Sequence, residues 1–215
     1  MSINKELQEL AASLEGTLLY DDLYKTLYST DASVYRIRPN AVALPKTTAD
    51  ISKLIRFAAQ HNISVTPRTA GTSLAGQAVG DGIVVDVSKH FTKILGYNAE
   101  KKTVTVQPGV IRDELNLFLK PYGVFFAPIT STSNRAMIGG MVGNNSSGTT
   151  SIRYGVTRDK IAEVKAILSD GTEVTFGELT SAEFIEKTKG DSLENKIYKS
   201  VYDELSVKEN QEEII

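Results

Sequence analysis

Two stretches of this chain hold residues whose types and spacing could do chemistry through the backbone. The first is Pro67-Arg68-Thr69-Ala70-Gly71-Thr72-Ser73-Leu74-Ala75-Gly76-Gln77. Two glycines and three hydroxyl side chains stand together there, with an arginine at the mouth. Small side chains let a backbone approach a ligand, and glycine reaches positive φ without steric cost. Successive N–H groups pointing one way make an anion-binding nest. The chemistry expected is capture of a phosphate-bearing cofactor; a tight turn packing two strands would use the same residues. Gly71 and Gly76 have P-loop spacing, but Gln77 and Ala78 stand where that loop needs Lys and then Ser or Thr. Nucleoside triphosphate hydrolysis would lack its main electrostatic parts. The G-x-G-x-x-G fingerprint is also absent, which disfavours a Rossmann dinucleotide site.

The second stretch runs from Ala127 to Gly155. Gly139, Gly140, Gly143, Gly148 and Gly155 alternate there with serine, threonine and asparagine. It is too poor in large apolar residues to be core, and too long for an idle surface loop. Met137-Ile138 and Met141-Val142 punctuate it as buried anchors would. Such a backbone suits an extended polar ligand. Two separated segments of this kind imply a long ligand touching both, and flavin adenine dinucleotide (FAD) has that length.

Other elements must position these segments. Ile3, Leu7, Leu10, Ala11 and Leu14 predict an amphipathic helix ended at Gly16. Tyr20 to Arg38 is tyrosine-rich and reads as packed and partly irregular. Residues 40–45 read as a short buried strand, and Thr48 as the N-cap of a helix ended by Asn62. Strands at 63–66 and 83–87 then flank the first segment. Strand, helix, strand is a βαβ unit, hence a right-handed crossover and a parallel pair. A hairpin joins 93–97 to 103–107, and a helix spans 110–122 up to Gly123. Asp170-Gly171 predicts a type I′ hairpin between 163–168 and 173–176. Beyond Leu179 the chain turns helical and charged, with no closing element over 207–215. The division expected is a first lobe at 1–91, a second at 92–180 and a helical tail at 181–215. The fold class is α+β.

Composition narrows the functions. The hydrophobic fraction is 41%, enough for a core, and the formal charge is -2 with no basic block, so nucleic acid is not an expected partner. With no cysteine and only His61 and His90, disulfides, thiolate metal sites and imidazole clusters are not expected within the chain. The polar start from Met1 has no signal-peptide core, and no apolar run approaches a bilayer-spanning length. The expectation is a cytoplasmic protein without a transmembrane segment.

Taken in order, Pro67 to Gln77, Val106 to Val110, Ile138 to Gly148 and Ile152 to Gly155 resemble the FAD-binding domain of FAD-linked oxidases, the vanillyl-alcohol oxidase or PCMH-type fold. The resemblance spans about residues 20 to 205 and is to the D-lactate dehydrogenase and glycolate oxidase branch. Thr30 to Pro39 is similar to long bacterial members that carry an iron–sulfur module further along. It implies that Arg68, Thr69, Ala70, Gly71, Thr72 and Ser73, with Gly76 and Gln77 beside them, hold the FAD pyrophosphate through backbone N–H groups. Pro128, Ser131, Thr132 and Ser133 match the stretch passing near flavin and diphosphate. Gly139, Gly140, Asn144, Ser146, Ser147 and Gly148 match the second cofactor run, Tyr154 and Gly155 its end, and Ile161 a position whose backbone meets the adenine or flavin edge. Some members attach FAD covalently through a histidine in the first loop. Thr72 stands at that place, so the implied FAD is noncovalent.

The same resemblance implies oxidation of a D-2-hydroxy acid, by hydride transfer to FAD, with electrons leaving to a separate acceptor. A sugar or alditol oxidase, a UDP-N-acetylenolpyruvylglucosamine reductase-like enzyme and a noncatalytic flavin-binding subunit are the alternatives. The family's substrate cap follows the flavin domain, and any iron–sulfur cluster would lie further still. The chain therefore reads as a fragment, inactive by itself, whose full-length form could sit peripherally on the inner membrane. Arg36 and Arg38 could reach toward the cleft or simply flank a strand at the surface.

Overall fold

The computed structural model describes residues 3–214; Met1, Ser2 and Ile215, at the two ends read above, lie outside it. The chain divides into two compact units, Met1–Ile161 and Ala162–Ile215.

The first unit opens with α1 (Ile3–Ser13), β1 (Thr17–Leu19), α2 (Asp22–Leu27), β2 (Ala41–Leu44), α3 (Thr48–His61), β3 (Val65–Arg68) and β4 (Ile83–Asp86). The strands form one sheet in the order β1-β2-β4-β3. β4 runs parallel to both β2 and β3, and β1 is antiparallel to β2. The expected βαβ unit is present as β2–α3–β3, but its strands are not a pair: β4 lies between them. Every residue of β2 and β4 is buried, as strands with neighbours on both sides and cover on both faces require. β3 begins at Val65 rather than Ile63 and forms the sheet edge, where the missing N–H of Pro67 is tolerated.

Thr47, not Thr48, caps α3: its Oγ1 accepts from the Asp50 N–H at 3.2 Å, and Asn62 ends the helix in the left-handed region. Leu54 of α3 packs on Ile83, Ala41 and Leu7 in the first apolar cluster. Asp50 is fully buried, and its carboxylate accepts the N–H groups of Glu15, Gly16 and Lys46, each at 2.9 Å. Burial pushes this carboxyl up, but the backbone hydrogen bonds outweigh it and hold it below the usual carboxylate range. Asp50 thus ties the α1–β1 turn to the β2–α3 turn.

The rest of the first unit holds the hairpin β5 (Ile94–Asn98) with β6 (Thr103–Val106), α4 (Arg112–Leu119), α5 (Ile138–Gly143) and α6 (Ser151–Tyr154). Val110, Leu115, Leu119, Ala136, Ile138 and Met141 form a second apolar cluster. The second glycine-rich stretch therefore does enter a core, through Ala136, Ile138 and Met141, and Ser146 is buried as well.

The second unit pairs β7 (Glu163–Ile167) with β8 (Glu173–Gly177) and adds α7 (Ser181–Lys187), α8 (Leu193–Leu205) and α9 (Lys208–Ile214). The hairpin is as expected, but its turn is not type I′. Gly171 alone has positive φ (80°), and Asp170 instead accepts the Thr172 N–H at 2.9 Å. This is a three-residue loop with glycine in the left-handed position. Phe176 and Phe184 pack on Tyr198 of α8, at centroid distances of 6.0 and 5.6 Å. The tail ends in α9 rather than without an element.

Candidate cofactor site

A parallel connection must carry the chain back along the sheet. Between β3 and β4 this is done without a helix, by residues 69–82. This connection is the first glycine-rich segment. Among the described residues, the peptide N–H groups of Ala70 to Leu74 meet no protein acceptor. Gly71 is left-handed, with φ 64°. Five consecutive donors, turned by one left-handed glycine, are the parts of an anion nest.

Arg68 does not reach outward into this loop. Its Nη1 donates to the carbonyls of Thr30 at 2.9 Å and Ala78 at 3.1 Å, and its guanidinium lies 5.2 Å from the Tyr28 ring centroid. Arg68 thereby joins the two ends of the loop from beneath. Tyr28 in turn donates its hydroxyl to buried Asp86 at 2.7 Å. Burial and then the Asp86 bond push the Tyr28 phenol well above its ordinary range, so it stays a donor. Ser73 Oγ donates to Gln77 Oε1 at 2.7 Å within the loop.

The second segment is laid out by α4. Arg112 donates to the carbonyls of Pro128 at 3.0 Å and Phe126 at 3.2 Å, and Asn116 both donates to and accepts from the Phe126 backbone. Ser133 donates to Asp113 at 3.2 Å; Thr132 is half-buried beside it and Ser131 is exposed. Gly139 and Gly140 lie in the first turn of α5. Asn144 donates to Ser146 Oγ at 3.2 Å, and the Ser146 carbonyl accepts the hydroxyl of fully buried Thr157 at 2.6 Å. Ser147 is exposed. A methyl group on Gly148 would lie 1.8 Å from the Ile129 carbonyl oxygen, and Thr150 donates to Ala127 O at 2.8 Å. Residues 148–150 are therefore pressed against 127–129. Tyr154, Gly155 and Ile161 lie at the far end, against Phe125, Asp159 and Arg158 respectively.

The two segments meet at one point: a methyl group on Gly140 would sit 2.6 Å from Thr69 Oγ1. The first and second segments are thus in contact here. Arg36 and Arg38 turn to Ser29 at 3.3 Å and Asp22 at 2.6 Å. His61 ends α3 near Glu6, at 3.5 Å. The supporting residues Asp31, Arg112, Asp113 and Asn116 escaped sequence reasoning. Asp31 carried a signal, an Asp-x-Ser pair able to form an Asx turn; Arg112 carried none. Among the described residues no His, Asp or Glu cluster could hold a metal, and no helix is long and apolar enough to cross a membrane.

Comparison with known proteins shows the family. The family described as FAD binding domain matches residues 39–177. The chain belongs to this FAD-binding domain family. It is 40% identical over 202 residues to D-2-hydroxyglutarate dehydrogenase of Escherichia coli, covering 92% of this chain and 20% of that protein. It is 34% identical over 182 residues to the mitochondrial D-lactate dehydrogenase [cytochrome] of Kluyveromyces lactis, covering 79% of this chain and 31% of that one. The chain thus spans a fifth to a third of the length of these relatives. Among solved structures, Physcomitrella patens BBE-like 1 superposes with a TM-score of 0.70 at 24% identity, over 80% of this chain and 37% of that one. The α+β fold is that of PCMH-type FAD oxidases.

Proposed function

We propose that this FAD-binding domain holds FAD noncovalently, with the pyrophosphate on the nest at Ala70–Leu74 and the rest of the cofactor along the second segment. The observation that carries the reading is the row of five N–H groups without protein acceptors, at the point where Thr69 meets Gly140. These residues fit the group: the open donors suit a diphosphate, and Gly140 lets the second segment pack directly beside Thr69, next to them. Arg68 and Arg112, the arginines bonded to these segments, donate to carbonyls of the chain itself, so backbone dipoles would carry the anion. Thr72, a hydroxyl that forms no bond to a flavin ring carbon, supports noncovalent attachment. The two apolar clusters support a lobe boundary near residue 91.

The whole protein is assigned oxidation of a D-2-hydroxy acid of the D-lactate, glycolate or D-2-hydroxyglutarate class. Bound flavin would supply the hydride acceptor, and this chain the orientation and electrostatics around it. Electrons would leave to a separate acceptor, with any iron–sulfur cluster outside this chain. The protein is assigned to the cytoplasm. Binding of the cofactor is assigned to residues 1–215, and substrate turnover to the longer protein.

An absorption spectrum of the purified chain, taken before and after acid precipitation, tests this. Yellow colour released into the supernatant is expected. Colour retained in the pellet would contradict noncovalent attachment, and a colourless chain that takes up no added FAD would overturn the reading. D-lactate oxidation by the chain alone would overturn the division of labour.

A further inference from the structure

The 69–82 connection has no regular structure of its own, so something else must hold its shape. Asn40 and Ser64 hold its last residues, at Asp81 and Gly82, and Thr69 meets Gly140, but residues 70–78 are held by the Thr30–Arg36 segment, which is pinched by an antiparallel bridge between its ends. Thr30 O accepts from Arg68 Nη1 at 2.9 Å. Ala32 N–H donates to Gly71 O at 3.1 Å. Asp31 Oδ2 accepts the Ala78 N–H at 3.3 Å, while its Oδ1 takes the Ser33 N–H at 2.8 Å and fixes the segment's own turn. The Tyr35 ring lies where a methyl group on Gly76 would come within 2.7 Å. Arg68 before the loop, and Gly71, Gly76 and Ala78 within it, each meet this segment.

We infer that the Thr30–Arg36 segment is a clamp that pre-forms the cofactor nest, with Asp31 as its positioning residue. Asp31 touches no part of the nest's open N–H row. It acts by holding the Ala78 N–H while Arg68 holds the Ala78 carbonyl, which fixes the chain on the far side of the nest so that the donors of Ala70–Leu74 stay aligned before the cofactor arrives. This deepens the FAD reading and rests on it for the identity of the ligand. A clamp of this kind acts on the population of the binding-competent loop, so its loss lowers apparent affinity by the fraction still competent. The bound state stays the same.

The test compares the wild-type chain with Asp31→Ala and the isosteric Asp31→Asn. FAD affinity is read from flavin fluorescence, and loop order from hydrogen–deuterium exchange of peptides covering 69–78. Asp31→Ala is expected to weaken FAD binding about tenfold, and Asp31→Asn by less, as for loss of a hydrogen bond to a charged group. Exchange over 69–78 should rise in the free variants, stay unchanged in β2 and β4, and return to the wild-type level at saturating FAD. A flavin spectrum identical in the saturated variants completes the expectation, because a general structural defect would not leave the bound state intact. Unchanged affinity with unchanged exchange in both variants would overturn the clamp. If the wild-type chain takes up no FAD, the cofactor reading fails, and exchange in the free chains still decides the clamp.

Discussion

The two glycine-rich segments are alike in composition and differ in what their glycines do. In the first, Gly71 is needed for its dihedral: φ is 64°, and its nearest obstacle is the flexible end of Arg68. That segment is a path, a connection between parallel strands shaped from outside by residues 30–36. In the second, Gly148 and Gly140 are needed for space. The second segment is a packed wall, with Ala136, Ile138 and Met141 in a core and its backbone against other backbone. Small residues thus mark both a chain that must bend and a chain that must approach, and composition alone does not separate the two. Substitution does.

The largest effect is expected at Gly148. A Cβ there would meet the Ile129 carbonyl oxygen at 1.8 Å, and a backbone carbonyl cannot rotate away as a side chain can. Gly148→Ala should therefore cost on the order of 3 kcal/mol, at the upper end of overpacking penalties. Denaturant unfolding checks this, and a loss under 1 kcal/mol would break the description of the second segment as a wall.

Gly140→Ala should cost less, about 1–2 kcal/mol, because the obstacle at 2.6 Å is a side-chain hydroxyl. The partner variant Thr69→Ala removes that hydroxyl. In a double-mutant cycle the two changes should couple by about 1 kcal/mol, the pair being more stable than the sum of the singles predicts. Additivity would mean that the segments do not meet at this point.

Gly71→Ala tests the path. Left-handed backbone costs an alanine roughly 1–2 kcal/mol, and here the loop itself can absorb it by moving. The expected readout is therefore weakened FAD binding with little change in global unfolding, the opposite of Gly148→Ala. Equal losses of stability at the two sites would erase the contrast.

These differences explain what was legible in the sequence. Strands β2 and β4 and helix α3 were readable because burial imposes apolar runs and a 3.6-residue period on them. β1 and α2 were not: α2 buries no residue and is held at its start by Asp21 accepting from Leu23 and Tyr24. The insertion of β4 between β2 and β3 was hidden too, since local pattern fixes that strands are parallel but not which are neighbours. Both glycine-rich segments were visible by composition. Their contact through Thr69 and Gly140 was not, and neither was the support from Arg112, because a guanidinium bound to backbone carbonyls leaves no pattern along the chain.

Acidity should separate the segments again. Burial raises the Asp31 carboxyl, but bonds from Ser33 and Ala78 and the charge of Arg68 outweigh it, and the pKa in the folded chain is lowered. A lowered folded value stabilises fully at neutral pH and down to the usual carboxylate value, then is lost as pH falls through the folded value. Below about pH 4 the exchange difference between wild type and Asp31→Asn over 69–78 should narrow. The contacts of Gly148 with Ile129 and of Thr157 with Ser146 involve no titrating group, so peptides there should show no such change relative to their neighbours.

The smallest effect is expected at Gly143, and it is the sharpest check on the contrast. Gly143 lies in the second segment, as Gly148 does, yet its φ is not left-handed and a methyl group there would meet nothing within 4 Å. It is also the last residue of α5, where glycine carries more backbone entropy than alanine. Neither the dihedral nor the space demands glycine, so Gly143→Ala should leave stability unchanged or raise it by about 0.4–1 kcal/mol. If the chain unfolds normally but FAD binding falls, Gly143 is kept bare for the cofactor rather than for the fold. The second segment would then be a wall on its packed side and a ligand surface on the other, and the loss in affinity would locate that surface at the end of α5.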